Sequence, residues 1–451
     1  MLTFQDFEKA SNKAAFCLNA ISEHRTSVAF MIANDADLYD RQKNPTVEQT
    51  VATMYDLRGA KTVDFTANPH KVVSNFFRQL NVQRNSYLLG NGVTFEDEKT
   101  KNKLGQDFDG ALNKLGYKAL IHGVSFGFWN VDTLHVFPLT EFVPLWDENT
   151  GALMAGVRFW RLADDKPLQF VIYEIDGFSK YCKDNSGLVE VAAKRPYKER
   201  VSYSPAMGEE VVGGDNYSAL PVIPLYGSEL RQSTLVGMSR TIDAYDLAMS
   251  GYSDEVIDFI GEYLIAKNAG GMTDEDLLRF RDRLKLVRMA SVDADSGAGI
   301  DSITRTIQHD AKDALLDRLR SQLYSDFGGL DVVNISASAK TATEINAAYQ
   351  PLDEMADDYE YQVIEFIRQL LNLIGVDDYP TFKRNRIANQ YEQTQMVMLA
   401  ATYLDEQTVI EKLPWLTPDE VQTVLDRKDG EDMERFNQTE TEPAEERQSE
   451  V

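Results

Sequence analysis

The feature that most constrains this chain is a stripe of apolar residues on a strongly acidic background. Leu235, Met238, Ile242, Tyr245, Met249, Tyr252, Val256 and Phe259 recur at alternating three- and four-residue steps for more than three heptads, with Asp243, Asp246, Asp254, Glu255 and Asp258 between them. That period belongs to an α-helix with one narrow buried seam and an otherwise charged surface. Such a helix is marginal alone and needs a partner along its length. A candidate partner begins about fifty residues later, where Leu315, Leu319, Leu323 and Phe327 repeat at i+4 until Gly328 and Gly329. Between the two helices lies a compact insert containing YLIAKN, a charged helix from about Thr273 to Leu284, and a Gly-containing loop at 295–299.

A different texture occupies Ser125 to Tyr226. Short β-branched and aromatic runs such as FGFWNVDTL, EFVPLWD, LMAGVRFWRL and LQFVIYEI are separated by Asp, Asn, Gly and Pro, which predicts strands and hairpins. Before them, helical spacing covers Phe4 to about Asp40 as one amphipathic helix, then 71–90, then 104–122. After the double glycine, LDVVNISASAK (330–340) reads as an exposed polar loop. A long helix follows over about 341–374, interrupted or kinked at Pro351, with further helices to 426. The tail from Asp429 to Val451 is acid-rich, nearly free of apolar residues, and predicted to be disordered. The fold class expected is α+β, in several packed units, as 451 residues require.

Charge sets the functional limits. The chain has 46 Lys and Arg against 72 Asp and Glu, a formal charge of −26, so it cannot hold nucleic acid by neutralising phosphates over its whole surface. Basic residues gather only in AAKRPYKER, in FKRNR, and in LLRFRDRLKLVR with Arg279, Arg281, Arg283 and Lys285. The third set reads either as a self-paired helix or as a docking surface. No apolar run is long enough to span a membrane, and the N-terminus lacks a signal-peptide pattern. Two distant cysteines, Cys17 and Cys182, suggest neither a disulfide framework nor a zinc site, and a reducing cytoplasm is the expected setting. The five histidines are scattered, and no HExxH, GxSxG or phosphate-loop motif occurs. Asp35, Asp37 and Asp40 form the best candidate metal cluster, read first as a solvated helix end. No catalytic residue, cofactor or metal is therefore expected.

The order of these pieces resembles the SPP1-like portal proteins of tailed bacteriophages. Four segments carry the resemblance: PLTEFVPLWDENTGALMAGVRFW (138–160), LPVIPLYGSELRQSTLVGMSRTIDAYDLAMSG (220–251), DALLDRLRSQLYSDFGGLDV with the following TATEINAAYQPLDEMADDYE, and YPTFKRNRIANQYEQTQMVMLAATYLDEQTVIEKLPWLTPDEV. Ser336 to Ala339 stand where many relatives carry a Ser-Gly step. The resemblance implies a subunit of a twelve-membered ring at one capsid vertex. Residues 1–228 would be a wing, 229–262 and 310–328 a two-helix stem packed through Leu235, Met238, Ile242, Tyr245, Met249, Leu315, Leu319 and Leu323, and 263–309 a clip. A tunnel loop at 329–341 would touch DNA through Asn334, Ser336, Ser338, Lys340 and Thr341. A long kinked wing helix at 342–383, a crown at 384–428 and the acidic tail would complete the subunit. It further implies a non-enzymatic conduit for double-stranded DNA, assembled in the bacterial cytoplasm and resident in the virion. The terminase large subunit and then a head-completion adaptor would dock on Arg279, Arg281, Arg283 and Lys285; major capsid and scaffolding proteins would be further partners, and a membrane would not. The alternatives are another virion structural or adaptor protein, or a metal-dependent DNA-processing enzyme using Asp35, Asp37 and Asp40.

Overall fold

A computed structural model describes residues 2–51, 53–55, 60–63, 70–184, 187–204, 208–257, 262–267, 273, 275, 299–304, 309–333, 342–385, 394, 397–413, 421, 424, 425 and 427. The chain divides into two bodies, residues 1–330 with 351–384, and residues 331–350 with 385–451.

The first body opens with helices α1 (Phe4–Lys9), α2 (Lys13–Arg25), α3 (Val28–Asp40) and α4 (Pro45–Gln49). The single helix expected from Phe4 to about Asp40 is thus three helices, α1 to α3. Local capping chemistry breaks it: Asn12 Oδ1 accepts the Ala15 N–H at 3.0 Å and Ser27 Oγ accepts the Phe30 N–H at 3.2 Å, satisfying donors that only a helix start leaves free. After strands β1 (Thr53–Tyr55) and β2 (Lys61–Val63) comes α5 (Phe76–Leu89), which begins later than the 71–90 reading; Lys71 to Asn75 are not helical. Strand β3 (Val93–Phe95), α6 (Glu98–Leu104) and α7 (Phe108–His122) complete the helical part.

The expected strand-rich region is found between Val124 and Tyr226. It contains β4 (Val124–Asn130), β5 (Thr133–Pro138), β6 (Phe142–Trp146), β7 (Leu153–Trp160), β8 (Leu168–Glu174), β9 (Gly177–Asp184), β10 (Gly187–Arg195), β11 (Lys198–Ser204), β12 (Gly208–Asp215) and β13 (Val222–Tyr226). Strands β6 to β10 form an antiparallel meander in sequence order, β13-β4-β5 a second sheet, and β11-β12 a hairpin. The middle of the meander is apolar on both faces, because one face carries Phe7, Cys17 and Ile21 of α1 and α2 while Tyr173 and Phe142 point into the main core. Continuous burial along β7 and β8 is the consequence, where a one-sided sheet would alternate.

Two long helices then follow, α8 (Leu235–Ile257) and α9 (His309–Asp326), and between them in sequence lie β14 (Glu262–Lys267) and β15 (Gly299–Thr304), paired in antiparallel register. Helix α10 (Ala342–Ile374) continues through Pro351, so of the interruption or kink expected there the interruption is absent; the boundary between the two bodies falls at that proline. Its Pro351–Ile374 part buries Tyr359, Val363, Phe366, Ile367 and Leu370 in the main core beside α7 and the β13-β4-β5 sheet. Gly116 of α7 permits this approach, since a Cβ there would lie 1.9 Å from the Tyr359 hydroxyl. Strand β16 (Pro380–Phe382) pairs with β3. In the second body, α11 (Glu406–Glu411) is capped by Asp405, whose carboxylate accepts the Thr408 N–H. Mixed helix and antiparallel sheet make the chain α+β.

Candidate functional site

Helix α8 is where the sequence pattern and the structure diverge most usefully. Leu235, Met238 and Ile242 are buried among Ala36, Tyr39, Phe77, Leu80, Ile121 and Leu323, so the first two turns of the stripe belong to the subunit's own core. Beyond Ile242 the buried line is polar: Asp246, Ser250 and Asp254, four residues apart, are buried, while Tyr245 and Met249 are half-buried and Val256 exposed.

These three polar side chains receive a strap, residues 70–74. Asp246 Oδ1 accepts the Ser74 N–H at 3.0 Å, Ser250 Oγ the Val72 N–H at 2.9 Å, and Asp254 Oδ1 the His70 N–H at 3.0 Å. The match is geometric. Four helical residues advance about 6 Å and two extended residues about 6.6 Å, so alternate amides of an antiparallel strap meet successive turns of the helix. The Asp246 carboxylate is completed by Asn44 Nδ2, which donates to Oδ2 at 2.9 Å. Burial pushes its pKa up, opposed by the Asn44 amide and the Ser74 N–H. Asp243, one turn back on the neighbouring face, accepts from the Tyr39 hydroxyl at 2.6 Å, from Asn44 at 2.9 Å and from Thr46 at 3.0 Å. Seven carboxylate and hydroxyl contacts therefore fasten α3, α4 and the strap to α8 through hydrogen bonds that a sequence pattern shows only as exposed acid.

Helix α9 lies against α8. The Tyr252 hydroxyl and His309 Nδ1 are 2.7 Å apart, and Lys312 pairs with Glu255. Leu323 is buried, Leu319 is half-buried and Leu315 is 49% exposed. Its C-terminus is held by α5: Arg84 donates to Phe327 O at 2.9 Å, and Gln83 exchanges two hydrogen bonds with the backbone of Leu330. A cation at the last carbonyls also complements the helix dipole. Gly328, at φ +58°, makes the turn that the double glycine predicted. The chain thus reaches Asp331 from a fixed point. Asn334, Ser336, Ser338, Lys340 and Thr341 lie outside the described residues, as do Arg279, Arg281, Arg283 and Lys285.

The candidate metal cluster does not converge. Asp37 accepts from Lys118 at 2.7 Å and lies 3.0 Å from His122 Nε2, whereas Asp40 accepts from the Tyr117 hydroxyl and Asp35 is exposed. Burial opposes ionisation of Asp37, but the His122 and Lys118 hydrogen bonds and charges outweigh it and hold its pKa near 2. Among the described residues no group of three metal-ligating side chains occurs, and no helix is long and apolar enough to cross a membrane. The histidines are separately engaged: His24 with Leu139 O, His70 with Asp254, His122 with Asp37 and His309 with Tyr252, while His135 stacks on Phe128. Members of two basic spots are paired internally. Lys194 pairs with Glu174 and Asp176, Arg200 with Asp215, and Arg384 is clamped by Asp353, Asp357 and Glu360 at i, i+4 and i+7 of α10.

A family model described as phage portal protein, SPP1 Gp6-like, matches residues 32–442. The portal protein of Clostridium phage phiCD119 is 20% identical over 216 residues, 46% of this chain and 48% of that protein; the match spans about half the length of that relative. Among solved structures, a chain in the virion of a native gene transfer agent particle aligns over 74% of this chain and 87% of its own, at 12% identity and TM-score 0.40. A chain in the neck of an empty gene transfer agent particle aligns over 76% and 90%, at 11% identity and TM-score 0.39. Because the family match runs from α3 to beyond α11, nearly the whole sequence, this chain belongs to the phage portal protein family of the SPP1 Gp6-like type.

Proposed function

We propose that the protein assembles as a ring, twelve-membered in the virion, that forms the conduit for double-stranded DNA at one capsid vertex. The observation that carries this reading, beside family membership, is the unfinished packing of the α8–α9 pair. Leu247, Val256, Ile257 and Leu315 are exposed on a single subunit, although the pair is fixed at its base by a core and by the strap. Neighbouring copies of the pair, arranged around an axis, would cover that surface and make a stem. The remaining acidic face suits a channel, because DNA carries about one negative charge per 1.7 Å and a basic wall would retain it.

In this reading residues 1–228 with 342–383 form the wing, 263–309 the clip, 329–341 the tunnel loop and 384–428 the crown. The protein acts without catalysis of its own, so the force for packaging comes from a terminase. That motor and then a head-completion adaptor dock on the clip through Arg279, Arg281, Arg283 and Lys285, with capsid and scaffolding proteins around the wing. Asn334, Ser336, Ser338, Lys340 and Thr341 make brief contacts to phosphates. Small polar groups exchange hydrogen bonds at little net gain, whereas arginines add deeper charge-assisted contacts. Replacing Ser336 and Ser338 with Arg should leave assembly intact and slow or stall packaging in an assay of packaged DNA length and rate. Normal length and rate would remove the loop from the channel.

A further inference from the structure

The first body carries a groove of about 470 Å³ between the β6–β7 turn, β13 and the end of α10. Its walls include Trp146, Leu153, Leu220, Ile223 and Leu373, and its one cation is Arg231. Arg231 adopts φ +52°, uncommon for a residue with a side chain, and its guanidinium lies 4.4 Å from the centre of the Tyr226 ring. It makes no ion pair among the described residues.

The same body presents a complementary knob. Leu162, in the β7–β8 loop, is 86% exposed, more than any other large hydrophobic residue described in that body. Asp164, two residues on, makes no ion pair among the described residues, while Asp165 is already paired with Lys166 at 3.4 Å. Knob and groove stand at opposite ends of β7: Leu153 lines the groove, and Trp160 leads into the loop. Seven strand steps of about 3.3 Å separate those ends by roughly 23 Å. A subunit's loop cannot fill its own groove.

We propose that the loop Leu162–Asp165 of one copy seats in the groove of the next, with Leu162 against the apolar walls and Asp164 on Arg231. Two different patches at opposite ends of one strand make a head-to-tail contact, the kind that propagates and closes into a ring when the rotation allows. Like-to-like dimers would instead place two knobs or two cations together. The inference rests on the ring reading given above and assigns that ring a specific contact in the sheet region, away from α8 and α9.

The test uses the full chain carrying Cys182→Ser, with Leu162→Cys and Ala219→Cys, Ala219 being a groove residue. A short bismaleimide added to the assembled protein should give denatured bands at successive multiples of the chain, and neither single variant should give them. Charge exchange supplies the second readout. Asp164→Arg and Arg231→Asp should each raise the half-assembly concentration roughly tenfold, and the pair together should return it to within about twofold. Rings of full mass without multimeric bands, or dimers from Leu162→Cys alone, would overturn the contact and leave the ring standing. A monomer by mass would overturn both.

Discussion

Asp37 shows how far single residues can be misread from a string. In the sequence it is the centre of NDADLYD, a loose acidic run that could suggest a metal. In the structure Lys118 and His122, more than eighty residues away, hold it as a carboxylate with a pKa near 2. A carboxylate whose pKa is lowered on folding stabilises the fold above its unfolded value, near 3.8, and loses that contribution as pH falls through the folded value. Asp37→Asn should therefore cost about 2 kcal/mol at pH 7. The difference from the wild type should shrink between roughly pH 4 and pH 2. Thermal midpoints of both proteins across that range check this; a difference that persists unchanged at pH 2 would mean that Asp37 contributes through packing and not through its charge. Arg384 makes the same point from the other sign. FKRNR looks like a basic spot, yet three carboxylates of α10 enclose that guanidinium and hold its pKa above the ordinary arginine value.

At the scale of elements, what was legible followed hydrophobic period. The strands between Val124 and Tyr226, the two long helices and the glycine stop at 328–329 all match expectation, because burial on a sheet or a helix leaves a repeat in the sequence. What was not legible followed hydrogen bonds. The breaks between α1, α2 and α3 depend on Asn12 and Ser27 as caps, and both residues were visible but weaker than the apolar repeat around them. Periodicity predicts helix from Lys71 onward where the structure has the strap at 70–74, since a chain of backbone donors has no side-chain signature. Asp246, Ser250 and Asp254 do have one, a four-residue polar repeat, but acids on a helix ordinarily mark its solvent face. The strap gives a direct prediction. Asp246→Asn puts an amide N–H₂ against the donors of Asn44 or Ser74, leaving a buried donor unpaired at a cost of about 1 to 3 kcal/mol. The amides of His70, Val72 and Ser74 should exchange faster in this variant while those of α5 keep their protection. Unchanged exchange at all three would show that apolar contact, not the ladder, holds the strap.

At the scale of the whole molecule the chain's family could be read from the order of its segments, and the match over residues 32–442 agrees with that reading. The packing of the proposed stem was legible only in part. The repeat through Leu235, Met238 and Ile242 is fully used inside one subunit, whereas Leu315, Val256 and Ile257 remain exposed there. In the proposed ring one apolar pattern would serve two kinds of burial, its first turns in the chain's own core and its later turns against a neighbouring copy. A sequence cannot separate those two uses, because both demand the same residue types at the same spacing. The proposed ring requires that copies of this chain supply the missing surface. Mass measurement of the intact purified assembly tests it most directly: a closed ring of about twelve copies is the predicted result, with Leu315→Asp together with Val256→Asp giving folded subunits of single-chain mass, and a wild-type protein that stays monomeric at every concentration would contradict it.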